Sequence, residues 1–182
     1  MSSPRPTIKG IYVLSHIRAL TALRGEKILY ELLGRYQKPL DFQDDDDVPV
    51  AEEVAILECI VDIDSPKKLS PEERALLAGR LHFKNFTSTQ SWKILGPLLR
   101  RNMRTVLMQS RHIANRVFKG VIFMAEGVNS TTVRIKLTNN DYPLEHFQGF
   151  FEEWLIYSGF VGAVEAHIDP DNVYVYTITW RE

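Results

Sequence analysis

Apolar residues recur every three to four positions up to about residue 109 and then, over most of the remaining chain, every second position. Ile11, Leu14, Ile17, Leu20 and Leu23 lie three apart. After Gly25 a second stripe runs through Ile28, Leu29, Leu32 and Leu33, so residues 8–36 predict two amphipathic helices facing the core. Pro39 closes this region. Asp41-Phe-Gln-Asp-Asp-Asp-Asp-Val-Pro-Val then reads as a solvated turn into a third helix, roughly residues 50–62, whose N-terminus favours nearby carboxylates. Ser70, Pro71 and Glu73 spell a capping box with proline at the first helical position, which starts a fourth helix over about 71–89. Ile94, Leu95, Leu98, Leu99, Met103, Val106 and Leu107 give one broad apolar face to a fifth helix, Trp92 to about Gln109, with Gly96-Pro97 as its start or kink.

From Arg111 to Trp180 the pattern is strand, strand, helix, strand, strand. Arg116 to Glu126 is extended and rich in β-branched residues, Gly127-Val-Asn-Ser is a turn, and Thr131 to Thr138 alternates with period two, which makes a hairpin. Pro143 to Ser158 carries Leu144, Phe147, Phe150, Phe151, Trp154 and Leu155 on one side of a sixth helix lying across the sheet. Val161 to Ile168, the turn at Asp169-Pro-Asp-Asn, and Val173 to Trp180 complete the unit. The expected class is α+β: a helical layer of about five helices (8–109) followed by a four-stranded antiparallel ββαββ module (111–181), in one domain spanning 1–182.

Composition removes several function classes. The 182 residues are 45% hydrophobic and 25% charged with a net charge of −1, the balance of a folded globular protein. No run of 18 apolar residues occurs and no apolar stretch follows a basic start, so a cytoplasmic protein without a membrane span is expected. The single cysteine, Cys59, sits in the apolar run Val54-Ala-Ile-Leu-Glu-Cys-Ile-Val and reads as a packing residue. Asp44 to Asp47 lack the glycine and closing glutamate of a calcium loop. The five histidines, His16, His82, His112, His146 and His167, show no metal-ligand spacing and read as ordinary surface or core residues. No nucleophile elbow, phosphate loop or dinucleotide fingerprint is present, so neither enzymatic activity nor a metal or other cofactor is expected. A pI near 6.5 argues against nucleic acid as a partner.

Charge is nonetheless uneven along the chain. Residues 41–64 hold ten acidic side chains and no basic one, whereas residues 92–120 hold seven basic ones and no acidic one. Within the basic segment, Arg100, Arg101, Arg104, Arg111 and Arg116 are the candidate anion or ligand contacts, with Arg100 and Arg104 on one helix face. The plainer alternative is a solvated face that pairs with the acidic segment.

Ile8-Lys-Gly-Ile, Gly79-Arg-Leu, Gly96-Pro-Leu-Leu with Arg100 to Arg104, Gly149-Phe-Phe-Glu with Ser158-Gly-Phe, and Val175-Tyr-Thr-Ile-Thr-Trp succeed one another along the chain. In that order the chain resembles the superfamily of haem–nitric-oxide-binding sensors, vinyl-reductase domains and TRAPP trafficking subunits, and within it a bacterial family known from myxobacteria. The resemblance implies a helical layer on a ββαββ sheet. It also implies a Tyr-x-Ser-x-Arg haem clamp on the second strand and a ligating histidine on the helix before the sheet. Here the strand reads Ile135-Lys-Leu-Thr-Asn, the ligand position falls near Arg101 or Asn102, and His112 lies beyond it, so haem is not expected. The resemblance leaves two readings. One is a sensor with a small, largely apolar ligand between helices and sheet, anchored at an anionic end by the arginines around Arg104. The other is a homodimeric adaptor whose pocket is filled by its own aromatics and which binds a protein partner.

Overall fold

A computed structural model describes residues 4–65, 67–89 and 102–181. The chain runs β1 (Thr7–Lys9), α1 (Gly10–Arg24), α2 (Ile28–Tyr36), β2 (Asp47–Pro49), α3 (Val50–Asp64), α4 (Pro71–Ser88), α5 (Met103–Met108), α6 (Ser110–Val117), β3 (Phe118–Lys119), β4 (Ile122–Asn129), β5 (Thr132–Thr138), α7 (Leu144–Ser158), β6 (Val161–Ile168) and β7 (Tyr174–Arg181). The class is α+β with two antiparallel sheets, ordered β2-β1-β3 and β4-β5-β7-β6. α7 crosses the larger sheet, with Phe151 and Phe147 packed on Tyr176 of β7.

Local chemistry sets the boundaries. Ser70 Oγ accepts from the Glu73 amide at 3.2 Å and Glu73 Oε2 accepts from the Ser70 amide at 2.9 Å, the reciprocal pair expected of this helix start. Gly25 ends α1 at φ +79°, a conformation that a Cβ would strain. On β5, Val133, Ile135 and Leu137 are fully buried, while Arg134 and Lys136 on the other face lie 3.7 and 3.9 Å from Glu126 of β4.

Several sequence expectations need correction. Arg116 and Val117 are helical, because α6 occupies the stretch where the pattern predicts the start of a strand. The smaller sheet has no signal in the pattern; its strands are two or three residues long, too short for alternation to register. The three-residue stripe on α1 matches its buried face only in the middle, where Leu14 packs on the core and Ile17 and Leu20 are buried. A helix turns about 100° per residue, so steps of three drift by about 60° each. Ile11 and Leu23 are therefore exposed, and the buried row is Val13, His16, Ile17 and Leu20. The acidic turn also works differently: carbonyls of Asp44 and Asp46 accept from the Ile11 and Gly10 amides, capping α1 rather than serving α3. Of the helix expected from Trp92 to Gln109, the part up to residue 101 lies outside the described residues.

Close helix crossing fixes the interior. A Cβ at Gly79 of α4 would lie 1.7 Å from the His146 carbonyl oxygen of α7, and one at Gly149 of α7 would lie 2.0 Å from that of Leu76. Each glycine admits the other helix's backbone. Gly79→Ala and Gly149→Ala are expected to cost at least the roughly 1–3 kcal/mol of an overpacked core in chemical denaturation. Gly34→Ala, at an exposed position of α2 with nothing near its Cβ position, is expected to raise stability by about 0.5–1 kcal/mol.

Candidate functional site

The crossing of α4 and α7 brings together side chains that are far apart in sequence. His82 stands one turn after Gly79 and His146 one turn before Gly149, so the two imidazoles meet with His82 Nδ1 3.0 Å from His146 Nε2. The buried row of α1 presents His16 to the same point, and the first turn of α3 presents Glu53. His16 Nε2 lies 2.9 Å from Glu53 Oε1, and His82 Nε2 lies 3.8 Å from that oxygen. The Tyr142 hydroxyl donates to Glu53 Oε2, and the Asn85 side-chain amide nitrogen lies 3.1 Å from His16 Nδ1. Glu53 and His146 are 0% exposed, and His16, His82 and Tyr142 are 1%.

Electrostatics sharpen the arrangement. Burial pushes the Glu53 carboxyl up, but the His82 charge, the His16 hydrogen bond and charge, and the Tyr142 hydroxyl outweigh it and lower it to about 2. Burial lowers His82 to about 4 against the pull of Glu53, and holds His146 well below the usual histidine range. Tyr142 is raised, first by burial and then by the neighbouring carboxylate, so it remains a donor. At neutral pH the centre is thus an ionised carboxylate facing neutral His82 and His146. Among the described residues no lysine or arginine pairs with Glu53.

His82 also borders a second feature. An apolar cavity of about 40 Å3 lies among His82 and Phe86 of α4, Ser110, Ile113, Ala114 and Val117 of α6, Phe118 and Phe123 of β3 and β4, and Phe147, Phe150, Phe151 and Trp154 of α7. Ser110 Oγ is buried there with no hydrogen-bond partner, and His146 Nδ1 is likewise unpartnered deeper in the centre. Unsatisfied buried polar atoms are few in folded proteins, and these two lie side by side with the cavity and the histidines.

Of the arginines singled out in the sequence, Arg104, Arg111 and Arg116 are placed apart from this centre. Arg100 and Arg101 lie outside the described residues. Arg104 is exposed and donates to the Asn129 carbonyl at 3.2 Å across Gly127, beside an open groove of about 510 Å3 with Asn102, Ser130, Phe160 and Trp180. Arg111 and Arg116 are exposed on α6, and Arg116 bears on the Tyr12 hydroxyl. No salt bridge among the described residues joins Arg104, Arg111 or Arg116 to the acidic segment. That segment pairs instead with Lys9, Arg18, Arg24, Lys38, Arg74 and Lys119. Cys59 is half-buried on α3, its thiol pushed up by burial, and packs against the core.

Sequence spacing could not reveal the centre. His112 and His167 are exposed as ordinary residues, but His16, Glu53, His82 and His146 come from four helices. The one available signal was a histidine at an i, i+3, i+4, i+7 position of α1 that a three-residue reading passes over.

Solved structures share the architecture. A doubly substituted Tt H-NOX aligns with TM-score 0.67 at 19% identity, covering 96% of both chains. A structure concerned with the mechanism of H-NOX activation aligns with TM-score 0.68 at 17% identity, covering 96% of this chain and 97% of that one. An oxygen-binding H-NOX domain related to soluble guanylate cyclases, in its oxygen complex, aligns with TM-score 0.62 at 18% identity over 96% of each chain. The fold is that of the haem–nitric-oxide-binding group which the sequence motifs resemble. No protein-family model matches the chain, and no curated protein matches it. No helix among the described residues is long and apolar enough to cross a membrane.

Tyr142→Phe removes one donor from a buried carboxylate at constant shape. It is expected to cost about 1.5–3 kcal/mol by urea denaturation, with His112→Gln near neutral as the exposed control.

Proposed function

We propose that this chain is a non-enzymatic sensory module that takes a very small, largely apolar ligand between its helical layer and its sheet, without haem, and works as one domain. The carrying observation is the aromatic-walled cavity with the unpartnered Ser110 hydroxyl, at the helix–sheet junction of an H-NOX fold. About 40 Å3 is an order of magnitude below the roughly 300–1,000 Å3 of a small-molecule pocket, and corresponds to a ligand of a few atoms. A haem does not fit the described residues: Phe118, Phe123, Phe147, Phe150, Phe151 and Trp154 fill the space and leave a cavity of only about 40 Å3. β5 adds Ile135 and Leu137 inward and Lys136 outward, with none of the clamp residues that the resemblance implies. A protein partner reads the ligand-dependent state, and exposed Arg104, Arg111 and Arg116 offer an anionic group on ligand or partner a basic surface.

The adaptor reading rests on a different feature. Ile122, Met124 and Val128 project from the outer face of edge strand β4, 49%, 44% and 47% exposed, which suits pairing with a second copy.

Protein purified from cells is expected to show no Soret band and no haem mass by native mass spectrometry. Under xenon pressure, methyl NMR signals of Ala114 and Val117 are expected to shift in the parent protein, and that of Val117 to stay fixed in Ala114→Leu. A Soret band with one haem per chain would overturn the haem-free reading. A wild-type cavity indifferent to xenon, in a concentration-independent dimer, would move the assignment to the adaptor.

A further inference from the structure

We propose that His16, Glu53 and His82 form a site for one divalent transition-metal ion of the zinc or ferrous-iron class. The ligand atoms lie within 4.8 Å of one another and all three residues are buried. Ligands about 2.0–2.1 Å from a tetrahedral zinc sit about 3.3 Å apart. The observed separations, 2.9 Å for His16 to Glu53 and 3.8 Å for His82 to Glu53, bracket that edge. The longer one exceeds hydrogen-bond range, so no hydrogen bond ties His82 Nε2 to Glu53 Oε1.

Three further observations support an ion. Two imidazoles and one carboxylate, with no thiolate among them, make the donor set that zinc and non-haem iron share. Both histidines have a partner on the nitrogen facing away from the carboxylate: Asn85 for His16 at 3.1 Å and His146 for His82 at 3.0 Å. With Nε2 given to the ion, His82 Nδ1–H donates to His146 Nε2, and Asn85 turns its amide so that the oxygen accepts from His16 Nδ1–H. Finally, the Glu53 carboxylate lies among histidines and a tyrosine without a lysine or arginine among the described residues, and a divalent cation compensates that buried charge.

Three protein ligands leave a coordination position open, as in ions that bind or activate a further ligand rather than closed structural sites. The His82 ring also borders the apolar cavity, so an occupant there touches a residue that holds the ion. The site does not depend on that cavity being used.

The full chain, stripped of metal by dialysis against chelator, is titrated with zinc and, separately, with cobalt(II) as a spectroscopic probe. The expected result is one equivalent retained after desalting, a cobalt d–d absorption of four- or five-coordinate nitrogen and oxygen ligation, and paramagnetic shifts on His16 and His82 ring protons. Glu53→Gln and His82→Gln are expected to lose retention by about tenfold or more, whereas His112→Gln with His167→Gln retains it. No retained equivalent, or cobalt shifts confined to His112 and His167, would overturn the site. The paramagnetic shifts are read on the wild type, so a variant that fails to fold does not remove the test. Loss of metal binding with an intact xenon response would remove the ion and leave the pocket reading standing.

Discussion

A carboxylate with no exposed surface is the constraint around which the helical layer is organised. Moving an anion out of water costs several kcal/mol unless donors replace its hydration, and Glu53 receives them from helices that share no sequence neighbourhood. α3 supplies the charge, α1 an imidazole at 2.9 Å and the segment before α7 a tyrosine hydroxyl, while α4 sets a second imidazole nearby at 3.8 Å, beyond hydrogen-bond range. Their relative positions are therefore not interchangeable with other packings of the same apolar surface, because a shift of any one leaves a buried charge short of a partner. Apolar contacts favour collapse, and the polar centre selects which collapsed arrangement survives.

The glycine crossing makes that centre geometrically attainable. Two helices with ordinary side chains at the contact stand about 8–10 Å apart. Gly79 and Gly149 let each backbone enter the space a Cβ would take, and His82 and His146 close to 3.0 Å as a result. The same close approach brings the aromatic row of α7 against α4, where Phe83 and Phe150 stack edge to face with centroids 5.1 Å apart. One pair of small residues thus sets both the polar centre and the aromatic wall of the cavity, and His82 belongs to both. Aromatic rings fill most of the space between helices and sheet, leaving a cavity of about 40 Å3.

The fold was legible along the chain wherever a single element decides its own state. The split of α1 and α2 at Gly25, the capping box of α4, the alternation of β5 and the apolar side of α7 are local facts, set by backbone conformation, hydrogen-bond reciprocity and side-chain period, and each was found where expected. Motifs around Gly79 and Gly149 pointed to the right architecture before their purpose was visible. The short strands of the smaller sheet and helix α6 were not legible, because they exist by pairing with or packing on distant segments rather than by their own pattern.

The candidate site was legible only as a set of histidines and carboxylates without an order. By itself the sequence determined the class, the helical layer before the sheet, the absence of familiar catalytic motifs and the departure from the haem signature on β5, since all of these reside in contiguous residues. Only the tertiary structure decided which three of five histidines are buried together, which of many acidic residues loses its water, and that Arg104, Arg111 and Arg116 stand away from it. Such a site is made by four helices meeting at one point, and a meeting point has no counterpart in the spacing of residues along a chain.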